Sequence, residues 1–202
     1  MPTWRRYLVE GIDIETGKWR PKGNLRNSEY VHFWSSLLTN ERLLTALKKY
    51  DYKLNFVPHP NMRCEGLFID TSDRVSIIND ANYSKIYSDS DMVITDYSSA
   101  VFDLAYLDKP IIYAQFDKEK FFSGAHTYQR GYFDYERDGF GKVTFTLDET
   151  VDAVIQCIEN GCKNPEEYQK RVNEFFVYRD KNNCRRALEK ILELGDKNDN
   201  SK

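Results

Sequence analysis

The chain of 202 residues contains few cysteines and histidines and carries no large excess of charge of either sign. Its four cysteines, Cys64, Cys157, Cys162 and Cys184, form no C-x-x-C pair, and its three histidines are scattered, so the spacing argues against a zinc site. Free thiols are typical of a reduced, cytoplasmic protein, and this is the localisation that we expect. The net charge of −3 gives no general attraction for nucleic acid, so any anion must bind at a local site.

Long apolar runs are also missing. The apolar stretches are only a few residues long, which is too short to cross a bilayer, and no secretory signal opens the chain. We therefore expect any membrane contact to be peripheral, at the inner face of the cell membrane, or to be made by sequence outside this chain. The length and the 41% hydrophobic content suit one globular domain, predicted over residues 1–194, with a frayed polar tail at 195–202.

Apolar runs and helical periodicity alternate along the chain. Strands are predicted at residues 52–57, 74–78, 91–95, 111–114 and 142–145. Helices are predicted at residues 29–50 with a break near Thr39, and at 83–87, 98–107, 148–159, 165–178 and 183–194, while residues 10–28 are predicted to form a loop. This alternation predicts a parallel, Rossmann-like α/β sheet with helices on both faces, and ligands bind such sheets beyond the carboxyl ends of the strands.

The most informative segment is Val93 to Asp103, where an apolar run ends in Thr95-Asp96-Tyr97-Ser98-Ser99 and an amphipathic stretch begins at once. A strand that runs directly into a helix presents unpaired N–H groups and the positive end of the helix dipole, and the two serines add hydroxyl donors. A phosphate or diphosphate is the natural occupant of such a site. The alternative is that Asp96 and Ser98 only cap the helix. The segment alone leaves both interpretations open.

Two other sites carry suitable side chains. His59 follows the strand at 52–57 between Pro58 and Pro60, where an imidazole can donate to a phosphate, transfer a proton, or simply bond to the backbone. Arg130 can bind a phosphate with two parallel hydrogen bonds, and Gly131 lets a ligand approach the backbone. Arg130 can equally stack on the neighbouring tyrosines at the surface.

Taken in order, these segments resemble a known family. The matching segments are Pro2-Thr3-Trp4-Arg5 (P-T-W-R), Pro58-His59-Pro60 (H-P), residues 91–99 (D-x-x-I-T-D-Y-S-S), Asp103, Lys109-Pro110, Asp117 and Arg130-Gly131-Tyr132 (R-G-F/Y). They resemble the CDP-glycerol glycerophosphotransferases of Gram-positive wall teichoic acid and some capsule synthesis. The nine-residue signature is specific, whereas the H-P and R-G pieces carry weight only in this order.

The resemblance implies a two-lobed glycosyltransferase-B enzyme, of which this chain is the C-terminal, donor-binding lobe. The N-terminal acceptor lobe, and the first strand that precedes Pro2, are then missing from residues 1–202. The implied reaction transfers glycerol phosphate, or a related polyol phosphate, from a CDP-activated donor to a teichoic acid or capsule acceptor and expels CMP. No metal and no cofactor are implied. The expected partners are CDP-glycerol or a related CDP-polyol, a polyol-phosphate acceptor and the N-terminal lobe.

The resemblance also implies residue roles. His59 is the expected catalytic residue, which stabilises or protonates the departing phosphate. The expected diphosphate-binding residues are Thr95, Asp96, Ser98, Ser99, Arg130 and Gly131, and Arg5, Arg63 and Asp180 are weaker candidates. Two alternatives remain open: a sugar-nucleotide glycosyltransferase lobe and a non-catalytic nucleotide-binding or assembly module. Whether this lobe alone is active is also open.

Overall fold

The computed structural model of the protein describes residues 1–15, 17, 19–62, 67–68, 72–125 and 130–199. The strands are β1 (Val9–Ile12), β2 (Trp19–Pro21), β3 (Leu54–Phe56), β4 (Val75–Ile77), β5 (Val93–Thr95), β6 (Ile111–Ala114) and β7 (Gly141–Thr144). The helices are α1 (Glu29–Leu38), α2 (Glu41–Lys49), α3 (Tyr83–Asp89), α4 (Val101–Tyr106), α5 (Lys118–Lys120), α6 (Leu147–Glu159), α7 (Glu166–Phe175) and α8 (Asn183–Asp199).

The predicted α/β class is confirmed. Strands β5, β6 and β7 form a parallel sheet in that order, and β3 pairs with β4, also in parallel. The predicted single sheet is divided, because no hydrogen-bonded ladder joins β3 to β5 within the described ranges. The predicted break after α1 is present because the Asn40 side chain accepts a hydrogen bond from the Leu43 N–H and so begins α2.

Helices cover both faces of the sheet, as predicted. Successive strand residues point to opposite faces. Ile94, Ile112 and Ala114 therefore join α1, α2 and α6 in one apolar core. Val93, Ile111 and Tyr113 join α4 and Val172 of α7 in a second core. Burial on both faces explains why β6 is a continuous apolar run.

A narrow cavity of about 100 Å³ lies between β3 and β5. Asn55 and Phe56 line one side of it, and Val93 and Ile94 line the other. Residues 1–3 run beside the end of β5 in the same direction. The Met1 amino group donates to the Ile94 carbonyl at 2.8 Å, and the Thr3 N–H donates to Asp96 Oδ1 at 2.7 Å.

The prediction of a loop over residues 10–28 is wrong, because β1 and β2 pair there as an antiparallel hairpin. The pairing slips by one residue between Glu10 and Ile12, where Gly11 has a φ of +52°. Contacts with residues before the hairpin hold it in place. The ring of Trp19 lies 5.4 Å from that of Trp4, and the Arg6 guanidinium lies 5.0 Å above the Trp19 ring. A local sequence pattern does not predict such contacts.

Two helix boundaries also differ from the prediction. Helix α4 begins at Val101 rather than Ser98, because the Ser98 hydroxyl accepts the Ala100 N–H in a turn before the helix. Helix α8 continues to Asp199, so most of the predicted frayed tail is helical. Extending a helix that has already formed costs little. Among the described residues, no helix has the length and apolar character needed to cross a membrane.

Candidate phosphate-binding cleft

A cleft of about 430 Å³ opens beyond the carboxyl end of β5. The turn Tyr97–Ser99 and the start of α4 form one wall, residues 118–122 form the second, and residues 130–135 form the third. The full lining is Tyr97, Ser98, Ser99, Val101, Phe102, Lys118, Glu119, Phe121, Phe122, Arg130, Gly131, Tyr132, Phe133, Asp134 and Tyr135. Its size is that of a small-ligand site.

Ser98 and Ser99 lie in this cleft as the sequence predicts. Ser98 is half-buried and Ser99 is exposed. Within the part of the chain that the structure describes, the backbone N–H groups of these two serines donate to no protein acceptor. Two free N–H groups and two hydroxyls can therefore donate to one anion. Because α4 has only six residues, donors in the turn supply more of the attraction than the helix dipole does.

Arg130 and Gly131 lie in the same cleft. The Arg130 side chain is 64% exposed, stands 5.6 Å above the Phe122 ring and lies 3.7 Å from Glu119. That exposed ion pair is weak, so a phosphate can displace the carboxylate. No atom lies within 4 Å of the position that a Cβ would take at Gly131, so the backbone there is open to a ligand.

Thr95 and Asp96, which are predicted to bind the diphosphate, precede the turn at the cleft and are buried, with 1% and 0% of their surface exposed. Thr95 donates its hydroxyl to the Met1 carbonyl at 2.6 Å. Asp96 accepts the N–H groups of Thr3 and Tyr97 through Oδ1. In this structure both side chains hold the N-terminal segment and the turn.

Arg5, a weaker candidate, is also buried, with 0% of its surface exposed, and its side chain bonds within the protein. Its guanidinium lies 2.9 Å from Asp96 Oδ2 and donates to both carboxylate oxygens of Asp117, at 2.6 and 3.0 Å. The faces of four aromatic rings surround it at 5.0 to 5.7 Å, those of Tyr30, Tyr97, Phe116 and Phe121. Charge attraction and ring contacts together compensate for its lost hydration.

Asp117 is a residue for which the sequence alone indicated no role beyond the family pattern. Besides the two hydrogen bonds from Arg5, it accepts the hydroxyl of Tyr7 at 2.6 Å and that of Tyr97 at 3.3 Å. Burial by itself raises the pKa of a carboxyl group. Here the charge and hydrogen bonds of Arg5, with the two hydroxyls, outweigh burial and hold the pKa of Asp117 below its usual value.

His59 does not line the cleft. It follows β3 rather than β5, is half-buried, and stacks beside Trp4 with ring centroids 6.3 Å apart. Its Nδ1 accepts the Asn61 N–H at 3.2 Å, so a ring proton is carried on Nε2. Trp4 connects the ring to the N-terminal segment, which pairs with Asp96.

Two weaker candidates lie elsewhere. Arg63 lies outside the described residues. Asp180 is exposed and does not line the cleft. Its carboxylate accepts hydrogen bonds from the Arg186 guanidinium at 2.7 and 3.1 Å and from the Asn182 N–H at 2.8 Å. These hydrogen bonds hold the pKa of Asp180 far below its usual value. Its contacts brace the start of α8, so direct ligand binding is not supported by its position.

The segment of residues 130–135, which is rich in aromatic side chains, supplies the third wall of the cleft. Phe133 and Tyr135 pack against other rings, as expected for structural aromatics. Tyr132, by contrast, is 87% exposed at the cleft. Lys118 also lines the cleft, where it is paired with Glu136 at 2.6 Å. Sequence reasoning missed Tyr132 and Lys118 because surface tyrosines and lysines are common and carry no spacing signal.

An α/β lobe with a polar cleft at the carboxyl ends of its parallel strands has the architecture of a Rossmann-like ligand-binding domain. Residues 1–193 match the family described as CDP-Glycerol:Poly(glycerophosphate) glycerophosphotransferase, and the chain belongs to this family. Over 195 residues it is 36% identical to the minor teichoic acid biosynthesis protein GgaB of Bacillus subtilis. It is 28% identical over 188 residues to a teichoic acid poly(ribitol-phosphate) polymerase of Bacillus spizizenii.

A solved structure of the wall teichoic acid polymerase TagF has a similar fold, with a TM-score of 0.58 and 19% identity over 98% of this chain. The chain is shorter than these relatives. The match to GgaB covers 96% of this chain and 21% of GgaB, and the match to the ribitol-phosphate polymerase covers 85% of this chain and 26% of that enzyme. The TagF match covers 43% of the TagF chain.

The low pKa of Asp117 predicts how folding stability depends on pH. Because the folded pKa lies below the unfolded value of about 3.9, ionised Asp117 stabilises the fold above that pH, and the contribution is lost as the pH falls through the folded pKa. Asp117→Asn leaves Arg5 short of one buried counter-charge and should cost about 3–5 kcal/mol at pH 7. Thermal melts should show the gap to the unaltered protein shrinking between pH 5 and pH 2.5. A gap that is constant over this range would contradict the assignment.

Proposed function

We propose that this chain is the donor-binding half of a transferase that moves glycerol phosphate, or a related polyol phosphate, from a CDP-activated donor to a teichoic acid or capsule acceptor. The observation that carries the proposal is the convergence of Ser98, Ser99 and Arg130 on one cleft in a chain that belongs to this family. The named relatives include proteins of ribitol and of minor teichoic acids, so the polyol is proposed only as a class.

In this proposal the diphosphate of the donor lies against the turn Ser98–Ser99. The two backbone N–H groups and the hydroxyls donate to one phosphate, and Arg130 leaves Glu119 to bind the other. A terminal acceptor hydroxyl attacks the glycerol-side phosphorus and gives its proton to a base of the lobe outside residues 1–202. The bond between that phosphorus and the bridging oxygen breaks, and CMP departs with the electron pair. Phosphoryl transfer depends mostly on positioning and charge neutralisation, which these groups can supply.

His59 is proposed to stabilise or protonate the departing phosphate. The support is its position after β3 at the same edge of the fold as the cleft, and a tautomer that offers the Nε2 proton. We further propose that the acceptor is held mainly by an N-terminal lobe outside residues 1–202, and that the protein works in the cytoplasm, peripherally at the inner face of the membrane.

The double variant Ser98→Ala with Ser99→Ala should weaken binding of CDP-glycerol. Each charge-assisted hydrogen bond to phosphate contributes about 1.5–3 kcal/mol, so a loss of at least ~10-fold in affinity is expected by calorimetry. Ser88→Ala, an exposed serine outside the cleft, is the matched control and should bind normally. Titrations with CMP, UDP-sugars and GDP-sugars rank the donor classes. Preference for a UDP-sugar would favour a glycosyltransferase, and no nucleotide binding would favour an assembly module.

His59→Ala should impair transfer much more than binding. In a full-length relative that carries the same Pro-His-Pro segment, loss of a group that assists proton transfer is expected to lower kcat by about 10²–10⁴-fold. The affinity for CMP should fall much less, because proton transfer to a leaving group assists the transition state and not the binding of the product. Turnover and CMP binding are measured on the same preparations. Equal losses in both would show that His59 acts only in binding.

The gap between β3 and β5 supports the proposal that a strand outside residues 1–202 completes the sheet. In a parallel ladder, the backbone N–H and C=O groups of successive residues face opposite neighbouring strands. Leu54 and Phe56 form hydrogen bonds on the β4 side, and Val93 forms one on the β6 side. The backbone groups of Asn55 and Ile94 therefore face the gap. A strand there would give the order of doubly wound nucleotide-binding sheets, in which the first strand is central.

Adding six alternating Val and Thr residues directly before Met1 tests this. The added segment should fill the gap, raise the melting temperature by about 2–4 °C for each kcal/mol gained, and slow hydrogen exchange at the amides of Asn55 and Ile94. A Gly-Ser segment of equal length is the control and should do neither. Identical melting and exchange for the two extended chains would contradict a strand site.

A further inference from the structure

Arg5 does not reach the cleft, yet it joins two of the cleft walls. It pairs with Asp96, the residue that precedes the turn Tyr97–Ser99, with 2.9 Å between Nη1 and Oδ2. Through Asp117 it holds the residue that precedes α5 and the segment 118–122, with 2.6 Å between Nε and Oδ2. The same guanidinium therefore sets the distance between the start of one wall and the start of the other.

Tyr97 links the two carboxylates to the cleft surface. Its N–H donates to Asp96 at 2.6 Å and its hydroxyl donates to Asp117 at 3.3 Å. Its ring stacks on Phe121 at 3.7 Å between centroids, and both rings line the cleft. Both side chains are buried, with 2% and 0% of their surface exposed, so a displacement of either carboxylate is passed to the packing that supports two walls of the cleft.

The chemistry at this position requires arginine. Only a planar guanidinium can donate two parallel hydrogen bonds to Asp117, a further one to the Thr3 carbonyl at 2.8 Å, and still lie between aromatic faces. A buried ion pair of this kind is seldom a net source of stability, and its use is to select one geometry. Here that geometry is the separation of two walls of the cleft.

We propose that Arg5 and Asp117 are positioning residues, which set the spacing of the Ser98–Ser99 turn and the 118–122 wall. Because Arg130 lies against Glu119 and Phe122 of that wall, this spacing sets how far Arg130 stands from the two serines and so selects ligands with two linked phosphates. This inference rests on the proposed function for the identity of the ligand. The positioning itself does not, because the contacts that carry it lie wholly within the protein.

The test uses Asp117→Asn, which keeps the shape of the side chain and removes its charge. Calorimetry is done well below the lowest melting temperature, with CDP-glycerol, CMP and cytidine. We expect at least a 10-fold loss of affinity for CDP-glycerol, a smaller loss for CMP and no change for cytidine. Asp108→Asn is the matched control: it breaks an exposed 2.6 Å ion pair with Arg179, away from the cleft, and should bind all three ligands normally.

Hydrogen exchange without ligand separates this inference from the proposed function. The amides of Tyr97, Ala100 and Phe121, which are hydrogen-bonded in the two walls, should exchange faster in Asp117→Asn and be unchanged in Asp108→Asn. If the unaltered protein binds no CDP-glycerol, the proposed function fails while the exchange data still decide the positioning. If Asp117→Asn melts earlier but alters neither exchange at these amides nor the ligand ranking, the positioning role is overturned.

A milder variant covers the case in which Asp117→Asn does not fold. Tyr7→Phe removes only the 2.6 Å hydrogen bond to Asp117 and leaves both ion pairs. It should give the same ranking of losses at smaller size, about 2- to 5-fold for CDP-glycerol, with cytidine unaffected. Equal losses for all three ligands, or none, would contradict the inference.

Discussion

The buried guanidinium of Arg5 between Asp96 and Asp117 is the interaction on which the rest of the site depends. An ion in the interior loses its hydration, and the loss is tolerated only where opposite charge and hydrogen bonds replace it. Arg5 meets this requirement with two carboxylates, one backbone carbonyl and four aromatic faces. Because Asp96 and Asp117 each lie more than ninety residues from Arg5 in the chain, one side chain ties the N-terminal segment to both sides of the cleft.

The same arrangement keeps two carboxylates inside the protein and away from the surface of the cleft. The carboxylates of Asp96 and Asp117 point inwards and are neutralised, so they do not repel an anion in the cleft. The turn Tyr97–Ser99 then offers donors to the cleft, and the two carboxylates that line it, Glu119 and Asp134, are paired with Arg130 and with backbone N–H groups. Aromatic walls exclude water from part of this surface, and electrostatic attraction is stronger where water is excluded. A cleft of this kind suits a diphosphate, in agreement with the family to which the chain belongs.

The division of the sheet explains why the predicted site residues do not all meet. Ser98, Ser99, Arg130 and Gly131 depend on β5 and on the segments beyond β6, whereas His59 depends on β3. No ladder joins β3 to β5 in the described part of the chain, and Trp4 is the side chain through which His59 contacts the segment beside β5. The relative position of the imidazole and the cleft is therefore not fixed by a hydrogen-bonded ladder between β3 and β5 in the described residues.

Sequence pattern was sufficient where local and tertiary preferences agree. The run Ile111–Ala114 is apolar, β-branched and preceded by proline, and it forms β6 with the predicted limits, because burial on both faces demands such a run. The α/β class and most helices followed from periodicity for the same reason. The short motif at 91–99 also identified the turn that carries Ser98 and Ser99, because a strand that leads into a helix has a recognisable composition.

Tertiary structure alone decided which polar residues face a ligand. Thr95, Asp96 and Arg5 have the chemistry of phosphate-site residues, but they are buried, since partners distant in sequence use their hydrogen bonds. The hairpin in residues 9–21 and the later start of α4 likewise depend on contacts that no local window contains. A sequence determines which groups can donate or accept hydrogen bonds. The packing of segments far apart in the chain determines whether those groups form hydrogen bonds inside the protein or remain available to a ligand.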